Sequence, residues 1–138
     1  TIPELQAALV ARWKEIQIAR NVGLWGVAIM LMGGLIEALL LARAMHNPQP
    51  VQRARSRPRT PGGGEKPVQE WNLQELCAVA YELGWIHTAP REIPPTLLKY
   101  RSLVHPWEQL SLGAELNEKT VSTGWKTLQG MVEDLLRA

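Results

Sequence analysis

Residues 24–42 read LWGVAIMLMGGLIEALLLA, a run that is apolar on every side except for Glu37. A helix of that kind is either the centre of a bundle or a membrane span. Its length would just cross a bilayer, and Arg20 and Arg43 flank it as interfacial anchors would. Against a span, Glu37 inside the run would be costly in lipid. The amphipathic segments elsewhere also need a central helix to pack on. The run is therefore read as the core helix of an all-α protein, with a small membrane-anchored protein spanning at 24–42 as the alternative. The stretch starts too far along the chain, and is too long, for a signal peptide.

Before it, a first helix is expected to start near Pro3-Glu4, with Thr1 or Ile2 ahead. Proline suits a first helical turn and an acid suits the positive end of the dipole. Leu5, Leu9, Trp13 and Ile16 follow at helical spacing, and Asn21-Val22-Gly23 breaks the pattern. After it, His46-Asn47-Pro48-Gln49-Pro50 reads as a stop. Residues 47–70, with their prolines, arginines and Gly62-Gly63-Gly64, read as a flexible linker loop. A further helix starts at Asn72, with Glu75 placed to close a capping box. Its inner stripe is Leu73, Leu76, Cys77, Ala80 and Leu83, and Gly84 ends it. A fourth helix is expected over 95–104, stopped by Pro106, then a short connection over 107–116. Asn117 caps a last helix, in which Val121, Trp125, Leu128, Val132 and Leu135 alternate steps of four and three. No run reads as a hairpin. The expected fold is one all-α domain over 1–138, a four- to five-helix bundle with a long flexible basic loop.

A single cysteine, Cys77, excludes an intramolecular disulfide, and no Cys/His cluster has zinc-site spacing. Both fit a cytoplasmic protein. Net charge is only +2, but it is unevenly placed: residues 43–67 hold six cations against Glu65 alone. Arg53, Arg55, Arg57 and Arg59 are candidate phosphate contacts within a tract that also reads as a solvated loop. The triple glycine follows no strand and precedes no Lys-Ser/Thr pair, so it is not a phosphate-binding loop. Nothing resembles a nucleophile elbow. No metal and no cofactor is expected.

The chemistry concentrates in Lys99-Tyr100-Arg101-Ser102-Leu103-Val104-His105-Pro106. Arginine is a permanent forked cation, while histidine exchanges a proton near neutral pH. Four residues apart on an α-helix, Arg101 and His105 would stack on one face. Arg101 would then hold a phosphate. His105 would take a proton from a ribose 2′-hydroxyl or return one to the leaving oxygen, a route that needs no metal. Lys99 and Tyr100 would bind phosphate or stack on a base.

The segment LLKYRSLVHP, with the NLQELCAVAYELGWI helix before it and the earlier GGLIEALLLARA helix, resembles the HEPN-type all-α domains of bacteria, in particular those with an R-N-L-V-H-P-like ending. The likeness covers about 24–46 and 70–136, most of the chain. It implies a helical bundle and a homodimer in which two Arg/His motifs meet. In active members that cleft cuts RNA without metal, often in toxin–antitoxin or abortive-infection systems. Others keep the fold as inactive interaction modules that bind nucleic acid or a partner protein, such as an antitoxin. The resemblance makes Arg101 and His105 the candidate catalytic pair, Tyr100, Ser102 and Glu37 supporting residues, and Glu37 the counterpart of the family's acid in an apolar helix. Three residues separate Arg101 from His105, fewer than in active members, and Ser102 follows the arginine where they commonly carry Asn, Asp or His.

Overall fold

The computed structural model describes residues 2–113 and 115–137; the expectations placed on Thr1 and Ala114 lie outside them. The fold is all-α. Among the described residues there are seven α-helices and no strand, and an isolated bridge joins Arg59 and Glu65. The helices are α1 (Ile2–Asn21), α2 (Trp25–His46), α3 (Pro48–Arg53), α4 (Leu73–Glu82), α5 (Pro95–Leu98), α6 (Pro106–Leu112) and α7 (Glu118–Arg137), with short 3-10 turns at Val68–Glu70, Pro90–Glu92 and Tyr100–Val104. Four or five helices were expected. The surplus comes from α3 and α6, where the sequence reads as linker and connection.

The residues gather into two compact units. One takes the chain up to Leu35 together with Pro94–Lys126. Its apolar centre includes Ile16, Ala28, Ile29, Met32, Leu97, Leu103, Val121 and Trp125, all buried. Of the stripe expected on α1, Ile16 is enclosed, Leu9 and Trp13 are half-buried and Leu5 is exposed. The first turns of α1 thus contribute little to the core. Gly23 ends α1 with φ of +78°, a conformation that suits glycine, and the Leu24 N–H donates to the Ala19 carbonyl at 2.9 Å. That six-residue closure is the Schellman form of a helix end. Where α7 meets α2, Gly124 lets the helices close: a β-carbon there would stand 3.2 Å from Ile29 Cδ1. Trp125 packs on Trp13 with ring centroids 4.7 Å apart, and the Arg20 guanidinium lies 4.7 Å from the Trp125 ring.

The other unit takes Ile36–Ile93 with the rest of α7 from Thr127. Ile36, Leu40, Leu73, Leu76, Cys77, Ala80, Ile86, Leu128 and Met131 are enclosed in it. The expected capping box is formed: Glu75 N–H donates to Asn72 Oδ1 at 2.8 Å and Asn72 N–H donates to Glu75 Oε1 at 2.9 Å. Gly84 follows α4 with φ of +76°.

The stretch expected to be a flexible linker is built into this unit. Pro48 and Pro50 stand in the first turns of α3 rather than ending order there, because proline's fixed φ suits a helix start. Val51 and Ala54 are buried, and Trp71 Nε1 donates to the Lys66 carbonyl at 2.8 Å. Lys66 pairs with Glu75 at 2.9 Å.

Helix α2 is long and apolar enough to cross a membrane by length and composition, yet 39% of its most apolar window is buried in the protein. Glu37 is half-buried, so the carboxylate that argued against a span is not sealed in an apolar core either.

Candidate functional site

The Lys99–Pro106 segment is not one α-helix. Helix α5 ends at Leu98, and Tyr100–Val104 follows as a 3-10 turn. Ser102 N–H donates to the Lys99 carbonyl at 3.0 Å and His105 N–H to the Ser102 carbonyl at 3.3 Å. The apolar pattern explains the tighter winding. Leu97, Tyr100 and Leu103 are the buried positions, a strict period of three, and side chains three apart eclipse on a 3-10 turn. That period is visible in the sequence and is the signal a 3.6-residue reading passes over. Pro106 then keeps His105 out of the α region, at φ −103° and ψ 112°.

This geometry overturns the expected stacking of Arg101 on His105. Four residues turn a side chain by about 40° on an α-helix but by about 120° on a three-fold turn, and His105 has already left the turn. Within one chain the two side chains leave the backbone in different directions. Both are exposed, as is Lys99, while Ser102 is half-buried.

Tyr100 is the anchor of this segment. Its ring packs so tightly on α2 that a β-carbon at Gly33 would overlap Cγ and Cδ1. The Arg101 guanidinium lies 5.5 Å from the centroid of that ring, an attraction of about 0.5–1 kcal/mol at an exposed site. Gly33 thus seats Tyr100, and Tyr100 steadies Arg101. Tyr100 was expected beside a ligand base; the structure makes it a buried support. On either side of His105 in sequence, large apolar groups stand in solvent: Val104 is 62%, Trp107 80% and Leu110 72% exposed.

The arginine tract belongs to the other unit. Arg53, Arg55 and Arg59 are exposed there. Arg57 is not available in the same way: its Nη1 donates to the Gln52 carbonyl at 2.7 Å and lies 3.3 Å from Glu65 Oε1, with the side chain only 13% exposed. Arg57 therefore holds the loop together instead of serving as the phosphate contact the sequence suggested.

The loop's second fastening is Glu82, at the end of α4, which accepts three hydrogen bonds from it. Arg55 N–H donates to Oε2 at 2.8 Å; Ser56 N–H and Ser56 Oγ both donate to Oε1 at 2.7 Å. The Ser56 hydroxyl and the two amides stabilise the charged carboxylate and hold Glu82 below its usual range. Nothing in the sequence spacing connects Glu82 to a loop 26 residues earlier.

No family model, curated protein or solved structure matches this chain.

Among the described residues the remaining titratable groups give no second cluster. His46 shares a hydrogen bond of 2.9 Å with the Ala42 carbonyl at the end of α2, and the His87 N–H donates to Asp134 Oδ2 at 2.9 Å. Both histidines are exposed. Among the described residues no three His, Cys, Asp or Glu side chains come together.

Proposed function

We propose that this chain is a HEPN-like helical interaction module of a bacterial defence or toxin–antitoxin type system, and that it works as a pair of identical copies. The carrying observation is the exposure of Val104, Trp107 and Leu110, which flank His105 in sequence. An apolar patch of that kind on a soluble domain marks an interaction surface. Pairing through it would remove three large side chains from water and bring the Arg101 and His105 of both copies to one seam. The divergence of Arg101 from His105 within a chain supports the non-catalytic form of this reading.

Their exposure, close in sequence to these apolar groups, favours a second reading, in which the seam cuts RNA. There His105 of either copy would deprotonate a 2′-hydroxyl while Arg101 neutralises the phosphate under attack. The 2′-oxygen–phosphorus bond forms, the bond to the 5′-oxygen breaks, and a proton is returned to that oxygen.

One experiment separates the two. Purified wild type, Trp107→Glu, Arg101→Ala and His105→Ala proteins are sized by light scattering and incubated with a labelled single-stranded RNA in the presence of a chelator. The pairing reading requires a dimer that Trp107→Glu converts to monomer; a wild-type monomer at micromolar concentration sinks it. Cleavage lost in Arg101→Ala and His105→Ala, with the dimer kept, establishes the ribonuclease. Equal behaviour of wild type and both variants leaves the interaction module.

A further inference from the structure

In the second unit a groove of about 220 Å³ opens between the end of α2, α3 and the 3-10 turn at Val68–Glu70. Its apolar lining includes Met45, Pro48, Val51 and Val68, with Gln52 and Gln69 as its polar groups. Val51 is sealed at the floor and Met45 is 51% exposed. Sites for whole drug-sized ligands run from about 300 to 1,000 Å³. This one is of a size to take an aliphatic side chain.

The charge that neighbours it in sequence is mainly positive. Arg53 is the next residue after Gln52, and Arg55 and Arg59 follow on the loop, all three exposed. The loop is ordered: Arg57 bonds the carbonyl of Gln52 in the groove lining, and Glu82 holds the amides of Arg55 and Ser56. Nearby acids are largely committed: Glu65 pairs with Arg57 and Glu75 with Lys66. Glu70, exposed at the end of the 3-10 turn, is the opposing carboxylate. A loop ordered in advance loses less entropy when a partner arrives.

We infer that this surface docks an acidic peptide segment of a partner protein, with one aliphatic side chain in the groove and carboxylates on Arg53, Arg55 and Arg59. The arginine forks suit carboxylates and phosphates alike. The apolar groove at their side decides between them, since a nucleic-acid backbone has no aliphatic group to place in it. This surface shares no residue with the one around Trp107, so the failure of either assignment leaves the other standing.

The test is selection of a displayed random library of twelve-residue peptides on the full chain, followed by fluorescence polarisation with the winners. Enriched peptides are expected to carry Leu, Ile or Met between Asp and Glu. Their affinity falls at least tenfold for the Arg53→Ala/Arg55→Ala/Arg59→Ala protein and for Met45→Glu. Gln69→Glu, at an exposed position, gives the same loss should Met45→Glu fail to fold. Enrichment without acidic residues, or equal binding to all these variants, overturns the proposal. So does a twelve-nucleotide single-stranded RNA that binds through the three arginines while no peptide is enriched.

Discussion

Tyr100 sits where a β-carbon on Gly33 would be. The ring takes up the space above α2 that any other residue at position 33 would claim. The candidate segment Lys99–Pro106 is thus fitted to one glycine of the apolar helix, and Gly34, next to it, has no heavy atom within 4 Å of its would-be β-carbon. Two adjacent glycines therefore have opposite roles.

Gly33→Ala is expected to destabilise the protein by about 1–3 kcal/mol, the usual cost of forcing volume into a packed site. Gly34→Ala is expected to stabilise it by about 0.5–1 kcal/mol, because alanine is the better helix former. Urea midpoints at constant slope measure both. Equal effects at the two positions would show that the Tyr100 seat has no energetic weight.

Glu82 gives the arginine loop a dependence on pH. Its hydrogen bonds hold its pKa below the ordinary value of 4.5. A carboxylate depressed in the folded state adds stability above its unfolded pKa, and that stability is lost as pH falls through the folded value. The amide proton resonances of Arg55 and Ser56 should therefore stay constant at neutral pH and titrate together with a midpoint below 4.5. In Glu82→Gln the two amides should show no such titration. A midpoint at or above 4.5 would contradict the three hydrogen bonds.

Cys77 is fully enclosed on α4, and burial pushes its thiol up to about 12. At pH 8 almost none of it is thiolate, and the thiolate is the reactive form. Alkylation of the native protein is expected to proceed only through opening of the second unit. Its rate should therefore rise with urea in step with unfolding followed by circular dichroism. Fast labelling in the absence of denaturant would show that α4 opens far more readily than its burial implies.

Trp107 is 80% exposed, so replacing it should leave the fold nearly untouched. Trp107→Glu is expected to change thermal stability at low protein concentration by no more than about 0.5 kcal/mol. Under the proposed pairing, it should at the same time abolish a concentration dependence of the melting temperature shown by the wild type.

How much of this is legible in the chain depends on how local the cause is. The capping box of Asn72 and Glu75 is complete in four residues, and the stripe of α7 in fifteen, so both read correctly. The all-α class follows from them and from the lack of alternating runs. The prolines mislead, because Pro48 and Pro106 open short helices as readily as they end long ones. Leu97, Tyr100 and Leu103 are legible only if a period of three is entertained beside 3.6, and with them goes the separation of Arg101 from His105. The Glu82 fastening of the arginine loop joins residues far apart in sequence. No spacing rule reaches it, so an ordered loop read as a flexible one.

The tryptophans, finally, give the chain its own optical reporter. Trp71, Trp85 and Trp125 are buried, and Trp125 and Trp85 each lie under an arginine, whereas Trp107 stands in water. Trp107 should therefore supply the red edge of the emission spectrum and most of its quenching by acrylamide. Anything that settles on α6, a second copy included, will announce itself as a blue shift without a label being attached.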